Sequence, residues 1–151
     1  MSFIEKKIVK MLEEQGVKYE LLEHEPVYTS EQAAEVRGVP LKTGVKALVC
    51  KTSAKKFILV LVRADKRADL DSVVELEGAK KVSLASPEEV LKHTGCKIGS
   101  VPPFGHKKAL KTYLDREILE EDEVNFNIGE HTKSIRMKAG DLLRVMGPVL
   151  F

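Results

Sequence analysis

The spacing of apolar residues predicts a helix at the start of the chain and a hairpin near its middle. Between Ile4 and Leu12, apolar residues recur at i, i+4, i+7 and i+8 among Glu and Lys residues, a pattern typical of an amphipathic helix. Gly16 is expected to end this helix. Residues 45–51 and 57–63 are two apolar runs joined by a short polar turn. They predict two paired strands in the middle of a sheet.

The remaining elements are shorter, and their ends carry recognisable signals. Thr29 and Gln32 have capping-box spacing, and Ser86-Pro87 followed by Glu89 is a strong helix start. These signals and the apolar pattern predict further helices at residues 30–38, 70–76, 86–95 and 140–146. Further strands are predicted at residues 17–22, 81–84, 111–114, 123–127 and 134–138. We therefore predict a single compact α/β (α+β) domain over residues 1–151, with a mixed, mostly antiparallel sheet and helices packed around it.

Composition narrows the class of protein without naming a function. The chain has 151 residues, 43% of them apolar, and a formal net charge of +2. This small net charge excludes a polycation or a chain with an acidic tail, but it allows a local basic face. Only Cys50 and Cys96 are present, too few for a disulfide framework. No apolar run is long enough to span a bilayer, so we predict a cytoplasmic protein with no membrane partner.

Common catalytic and metal-binding signatures are missing from the sequence. It contains no Walker loop, no GxGxxG, no GxSxG and no HExxH, and neither cysteine lies in a CxxC. Its four histidines are well separated along the chain. We therefore predict no metal site and no cofactor. Cys50 lies in an apolar run, which favours a buried structural thiol over a nucleophile.

Lys46 is the most informative charged residue. In the strand predicted at 45–51, alternation places Lys46 on one face with Leu48 and Cys50, and the opposite face is apolar as well. A buried ammonium needs a carboxylate, a water-filled cavity or an anionic ligand. The alternative is that Lys46 lies at the end of the strand and reaches solvent.

Two loops could carry a ligand site. Residues 99–105 contain two prolines and two glycines, which exclude regular structure and leave main-chain N–H groups free to face a ligand. A rigid turn without a ligand explains the same pattern. His131 lies on a predicted hairpin turn, where histidines are more often surface residues than bases. Basic residues cluster nearby, either as solvated surface or as contacts to the phosphates of a polyanion: Lys51, Lys107 and Lys108.

Over nearly its whole length the sequence resembles the YbaK/ProX family of aminoacyl-tRNA deacylases, which is related to the editing domain inserted in some prolyl-tRNA synthetases. The resemblance is carried by short segments in a fixed order. They are TSEQAA at 29–34, VKAL at 45–48, TG at 94–95, IGSVPPFG at 98–105, SIRM at 134–137 and GDL at 140–142.

The resemblance implies a compact mixed fold with a pocket for the aminoacylated 3′ end of tRNA. Lys46 falls on the family's functionally important lysine, residues 99–105 on its pocket-forming loop, and the turn at 129–131 on a second pocket loop. Misacylated tRNA is the implied substrate, and an aminoacyl-tRNA synthetase is a further partner to consider. The substrate-binding residues implied are Val101, Pro102, Pro103, Phe104, Gly105, Gly129 and Ser134.

Hydrolysis of an aminoacyl ester needs a positioned water and donors for the developing oxyanion. We expect direct attack by water without a metal, with donors from the main chain at Gly99 and Ser100. Lys46 is expected to hold a phosphate or ribose or to stabilise negative charge, with His131 as an optional proton acceptor.

Alanine or cysteine misloaded onto proline tRNA is the expected substrate. The alternatives are a non-catalytic module that binds tRNA or a synthetase, and an esterase for a small metabolite.

Overall fold

The helices of the chain closely match the predicted ones. The computed structural model describes residues 2–151, and none of its helices is long and apolar enough to cross a membrane. Short 3-10 helices at Leu41–Thr43 and Arg116–Glu120 were not predicted, because so few residues carry no clear periodicity. The α-helices are α1 (Phe3–Glu14), α2 (Ser30–Arg37), α3 (Leu70–Glu77), α4 (Pro87–Thr94) and α5 (Ala139–Met146).

The strands described in residues 2–151 form two sheets, one antiparallel and one mixed. They are β1 (Tyr19–Glu23), β2 (Val45–Thr52), β3 (Phe57–Arg63), β4 (Val82–Leu84), β5 (Lys111–Leu114), β6 (Glu123–Asn127), β7 (Lys133–Lys138) and β8 (Val149–Leu150). One sheet has the order β1-β7-β6, and the other has the order β4-β2-β3-β5-β8. The hairpin β2–β3 lies in the middle of the larger sheet, as predicted, and antiparallel pairing predominates.

The division of the strands into two sheets is a feature that the apolar pattern did not predict. β1 pairs with β7, far along the chain, and this pair with β6 forms the separate three-stranded sheet. β3–β5 and β5–β8 are parallel pairs, and β8 itself was not predicted. Alternation of apolar residues shows which face of a strand is buried, but it does not show which strands pair.

The larger sheet is buried on both faces. Leu59 and Leu61 of β3 belong to a core that also contains Ile8 of α1 and Leu142 of α5. Ile58, Val60 and Val62 of β3 face a second core, which contains Val73 of α3. The continuous apolar run of β3 is explained by this double burial, because a strand that is covered on one side only would alternate.

One edge of β2 is only partly covered. β4 pairs with β2 from Cys50 to Thr52, and one further bond joins the Ala85 N–H to the Val49 carbonyl at 2.9 Å. Residues of β2 before Val49 therefore lie beyond the end of β4. This open stretch of the edge carries Lys46 and forms one wall of the candidate site.

Candidate active site

A cavity of about 260 Å³ lies between α2, the open edge of β2 and the turn at residues 97–100. Most of its wall is apolar, with contributions from Val45, Ala47, Val49, Val90 and Val101. Its polar side chains are fewer and include Arg37, Lys46, Asn125 and Asn127. The cavity thus combines an apolar surface with two cationic side chains, a combination suited to a small ligand with polar groups.

Lys46 lines this cavity as a half-buried residue, paired in register with Val62 of β3. No carboxylate of residues 2–151 lies within 4.0 Å of its ammonium. Of the environments that the sequence left open, the structure therefore provides the cavity. An ammonium in such a place attracts negative charge, whether of an anion or of a transition state.

Main-chain groups of β2 also face the cavity. The Val49 carbonyl accepts a bond from the β4 side, so Val49 directs its main-chain groups away from β3. Main-chain groups alternate along a strand, and Ala47 therefore directs its N–H and C=O to the same edge. Because Ala47 lines the cavity beyond the end of β4, one donor and one acceptor lie next to Lys46.

Three loops meet at the rim of the cavity and are tied together by hydrogen bonds. The Val27 N–H donates to the His131 carbonyl at 3.0 Å, and the Gly129 N–H donates to the Ser100 carbonyl at 2.9 Å. His131 Nε2 lies 3.2 Å from the Ile98 carbonyl oxygen. These bonds join the loop before α2, the turn at 97–100 and the β6–β7 hairpin, so the predicted pocket loops do come together.

Gly99 and Ser100, both predicted as donors, have different roles in the structure. The Ser100 N–H and hydroxyl both donate to the Lys97 carbonyl, at 3.0 and 2.7 Å, and Ser100 is buried. Gly99 lines the cavity with φ +84°, which suits the third position of a type II turn. The Ile98 carbonyl points to His131, so the trans peptide directs the Gly99 N–H to the opposite side.

The ring of His131 is held at the rim, next to Gly99. A carbonyl only accepts hydrogen bonds, so the contact with Ile98 requires the proton on Nε2. Nδ1 is then the one ring atom of neutral His131 that can accept a proton. The ring also packs against Tyr28, with centroids 4.7 Å apart and planes at 38°. Tyr28 itself is 70% exposed.

Arg37 is a functional candidate that the sequence analysis missed. Its Nη1 donates to Asn125 Oδ1 at 2.8 Å, its Nη2 to Asn127 Oδ1 at 2.9 Å and its Nε to Ser134 Oγ at 2.8 Å. Burial lowers the pKa of Arg37 to about 10. These contacts span about ninety residues of sequence, which hides them from local patterns. Two asparagines on the same face of β6, Asn125 and Asn127, were the available signal.

Ser134 is fully buried, and its hydroxyl oxygen accepts the hydrogen bond from Arg37 Nε. His24 Nδ1 lies 2.8 Å from the Glu25 carbonyl, so Nδ1 carries the proton of a neutral ring. His24 Nε2 then accepts from the Ser134 hydroxyl at 2.6 Å. The predicted substrate contact of Ser134 is therefore indirect in this structure, because Arg37 lies between it and the cavity wall.

The predicted loop 99–105 is divided between two places. Val101 lines the main cavity, whereas Pro103, Phe104 and Gly105 line a separate cavity of about 180 Å³ beside α1. Pro102 is buried and lines neither of the two. Gly129 packs against α1 as well, since a Cβ there would lie 3.4 Å from Ile4. We therefore leave Pro102, Pro103, Phe104, Gly105 and Gly129 out of the proposed site.

The predicted lysine contacts are also separated. Lys51 Nζ donates to Glu89 at 2.9 Å and so ties β2 to α4. The N–H of Ser86 and the Lys51 ammonium lower the pKa of Glu89 to about 2. Lys107 and Lys108 are exposed on the segment that follows Gly105. Contact of these lysines with tRNA stays a prediction.

Both thiols are expected to be unreactive in the native protein. Cys50 and Cys96 are free and buried, and burial raises the pKa of Cys50 to about 12, which leaves almost no thiolate at pH 8. Ellman's reagent at pH 8 should label neither thiol within minutes, and both after unfolding in guanidinium. Rapid labelling of a native thiol would contradict the structural role assigned to Cys50.

Comparison with known proteins places the chain in a family. A model described as the aminoacyl-tRNA editing domain matches residues 24–145. The Multifunctional Ser/Thr-tRNA deacylase ProXp-y of Escherichia coli is 37% identical over 99% of this chain and 92% of its own length. The Prolyl-tRNA editing protein ProX of Acetoanaerobium sticklandii is 24% identical to this chain, and the match covers 92% of this chain and 88% of the relative's length. One solved structure is provisionally described as a trans-editing enzyme for prolyl-tRNA synthetase, and it superposes on this chain with a TM-score of 0.83. The two sequences are 31% identical, and the match covers 100% of this chain and 96% of the solved chain.

These matches define the class of enzyme as aminoacyl-tRNA deacylases, ester hydrolases that protect the fidelity of translation. The chain belongs to the aminoacyl-tRNA editing domain family. The family resemblance and the fold class expected from the sequence are thereby confirmed.

Proposed function

We propose that this protein hydrolyses the ester of a small amino acid on misacylated tRNA, acting in trans, with the reaction in the cavity beside Lys46. The observation that carries the proposal is an ammonium without a carboxylate partner in a largely apolar cavity. Electrostatic stabilisation of a developing charge is strongest in such a setting. The matched family supports the same reaction.

The geometry supports direct attack by water. Gly99 offers an N–H for the oxyanion, Lys46 offers a positive charge, and Ala47 offers a main-chain acceptor for the substrate's α-ammonium. His131 Nδ1 is a proton acceptor at the rim. No step in this scheme requires a metal, and no group of three or more His, Cys, Asp or Glu residues suited to a metal is found within residues 2–151. The leaving group is the ribose hydroxyl of the terminal nucleotide.

Serine or threonine is the substrate side chain that we now favour over alanine or cysteine. The Escherichia coli relative is named as a Ser/Thr-tRNA deacylase, and 37% identity over nearly the whole chain supports a shared preference. The cavity also has a polar wall built around Arg37, and a methyl or thiol group would use that wall poorly.

Purified protein mixed with proline tRNA charged with serine, threonine, alanine, cysteine or proline tests this function. We expect release of serine or threonine and slow or no release of proline. Binding of tRNA without any release would instead support the non-catalytic module. Absence of both, with hydrolysis of small esters, would support the esterase.

Replacing Tyr28 by alanine should raise KM for charged tRNA about 5- to 100-fold with little change in kcat. Tyr28 and His131 present an exposed aromatic surface at the rim, and a base of a single-stranded 3′ end stacks on such surfaces with about 1–3 kcal/mol. Steady-state kinetics of Tyr28→Ala and Tyr28→Phe measure this effect, and Tyr28→Phe should behave like wild type. An unchanged KM in Tyr28→Ala would contradict stacking there.

A further inference from the structure

Arg37 has hydrogen-bonding capacity that the protein itself does not use. A guanidinium has five N–H donors, and three of them bind Asn125, Asn127 and Ser134. The remaining two, one on each terminal nitrogen, have no partner among residues 2–151. Arg37 is half-buried and lines the cavity, so a ligand in the cavity can accept from these two N–H groups in place of solvent. A ligand group that cannot accept a hydrogen bond would displace solvent and leave these donors without a partner, which is costly.

The guanidinium is held in one orientation by partners that are themselves fixed. The Asn125 amide nitrogen donates to Thr43 Oγ1 at 2.9 Å, and the Asn127 amide nitrogen donates to the Glu130 carbonyl at 3.1 Å. Each asparagine therefore presents its oxygen to Arg37, and neither amide can flip without losing a bond. Such a preorganised donor pair gives selectivity, because a ligand acceptor must meet it at a defined place.

All the partners of Arg37 are neutral oxygens. No carboxylate of residues 2–151 lies within 4.0 Å of the guanidinium, and its charge is shared among amide and hydroxyl dipoles. The neighbouring asparagine oxygens each retain a lone pair that can accept from a ligand hydroxyl. A ligand hydroxyl can accept a hydrogen bond from Arg37 and donate one to an asparagine oxygen, so it suits both the free donors and the free acceptors of this site.

We propose that Arg37 is the residue that recognises the side-chain hydroxyl of the amino acid to be removed. This inference rests on the proposed function and assigns its substrate selectivity to a particular side chain. A seryl or threonyl hydroxyl accepts from a terminal N–H of Arg37 and donates to Asn125 or Asn127. An alanyl methyl leaves the same donors unsatisfied, and sites built for a hydroxyl discriminate strongly against analogues without it.

The test compares seryl and alanyl esters on the same tRNA for wild type, Arg37→Lys and Arg37→Gln. The readout is the ratio of kcat/KM for the two esters, because changes in folding or in tRNA binding affect both esters alike. We expect the seryl-to-alanyl ratio to fall roughly 10- to 100-fold in both variants, with the loss confined to the seryl ester. Arg67→Gln, a change at an exposed arginine outside the cavity, should leave the ratio unchanged.

An equal loss for both esters would overturn the proposal, since Arg37 would then hold a group common to both, such as a phosphate, or serve folding alone. An unchanged ratio would overturn it as well. A second measurement does not depend on turnover: calorimetric binding of non-hydrolysable seryl and alanyl amides of 3′-amino-adenosine. Wild type should prefer the seryl amide and Arg37→Gln should not. Equal binding of the two amides by wild type overturns the role of Arg37 in hydroxyl recognition, whether or not the protein deacylates tRNA. Deacylation that shows no preference for the seryl ester also overturns this role of Arg37, but it leaves the proposed deacylase function standing.

Discussion

Replacing Lys46 by alanine is expected to lower kcat/KM for seryl-tRNA about 100- to 1,000-fold. The loss of a single preorganised group that stabilises an oxyanion has an effect of this size. Lys46 has no carboxylate partner within residues 2–151, so its removal leaves no unpaired charge behind. The effect should therefore fall on activity and not on folding. Single-turnover deacylation, together with urea unfolding of the same samples, measures both quantities.

Lys92→Ala is the matched control for this variant. Lys92 is an exposed lysine of α4 that does not line the cavity, so its loss should leave both activity and unfolding unchanged. Lys46→Met should be as inactive as Lys46→Ala and at least as stable as wild type, because it replaces a half-buried charge with an apolar side chain of similar length. Full activity in either Lys46 variant would remove this residue from the catalytic site.

The second large effect concerns stability. Gly105→Ala should lower the free energy of unfolding by about 2–5 kcal/mol. A Cβ at Gly105 would lie 2.5 Å from Cγ1 of Ile8, a fully buried side chain of α1 that would have to shift. Overpacking of this kind costs about 1–3 kcal/mol, and the left-handed backbone, at φ +88°, adds about 1–2 kcal/mol for alanine. The midpoint of urea unfolding measures the change.

Gly140→Ala provides the comparison for Gly105→Ala. Gly140 lies in the first turn of α5, where a Cβ would meet no atom within 4 Å. Alanine should there raise stability by about 0.5–1 kcal/mol through its better helix propensity. If Gly105→Ala unfolded like wild type but lost deacylation, Gly105 would belong to the substrate loop, as the sequence analysis expected, and not to the packing of α1.

Local patterns were sufficient for most of the fold. The capping box at Ser86 and Glu89 is present in the structure, and Thr29 caps α2 as its spacing predicted. The strands β2 and β3 were visible as apolar runs because each is buried on two faces. The division into two sheets depends on which strands pair across long separations, and no local pattern records that choice.

The site was only partly visible in the sequence. Lys46 was identifiable because a charge inside an apolar strand conflicts with its surroundings, and such conflicts mark functional positions. Arg37 gave no such signal, since arginine is ordinary in the last turn of a helix. Only the folded chain brings it to Asn125 and Asn127. Similarly, residues 99–105 form one motif in the sequence, and the structure directs Val101 to the main cavity and Gly105 to α1.

The most direct test of the central claim is the number of amino acids released per protein molecule. Seryl-tRNA in large excess over the protein, followed at neutral pH with the tRNA recovered afterwards, measures this number. We expect many turnovers, release of free serine and tRNA that can be charged again. Decay of seryl-tRNA no faster than in buffer, with tRNA still bound, would contradict the claim that this cavity cleaves aminoacyl esters.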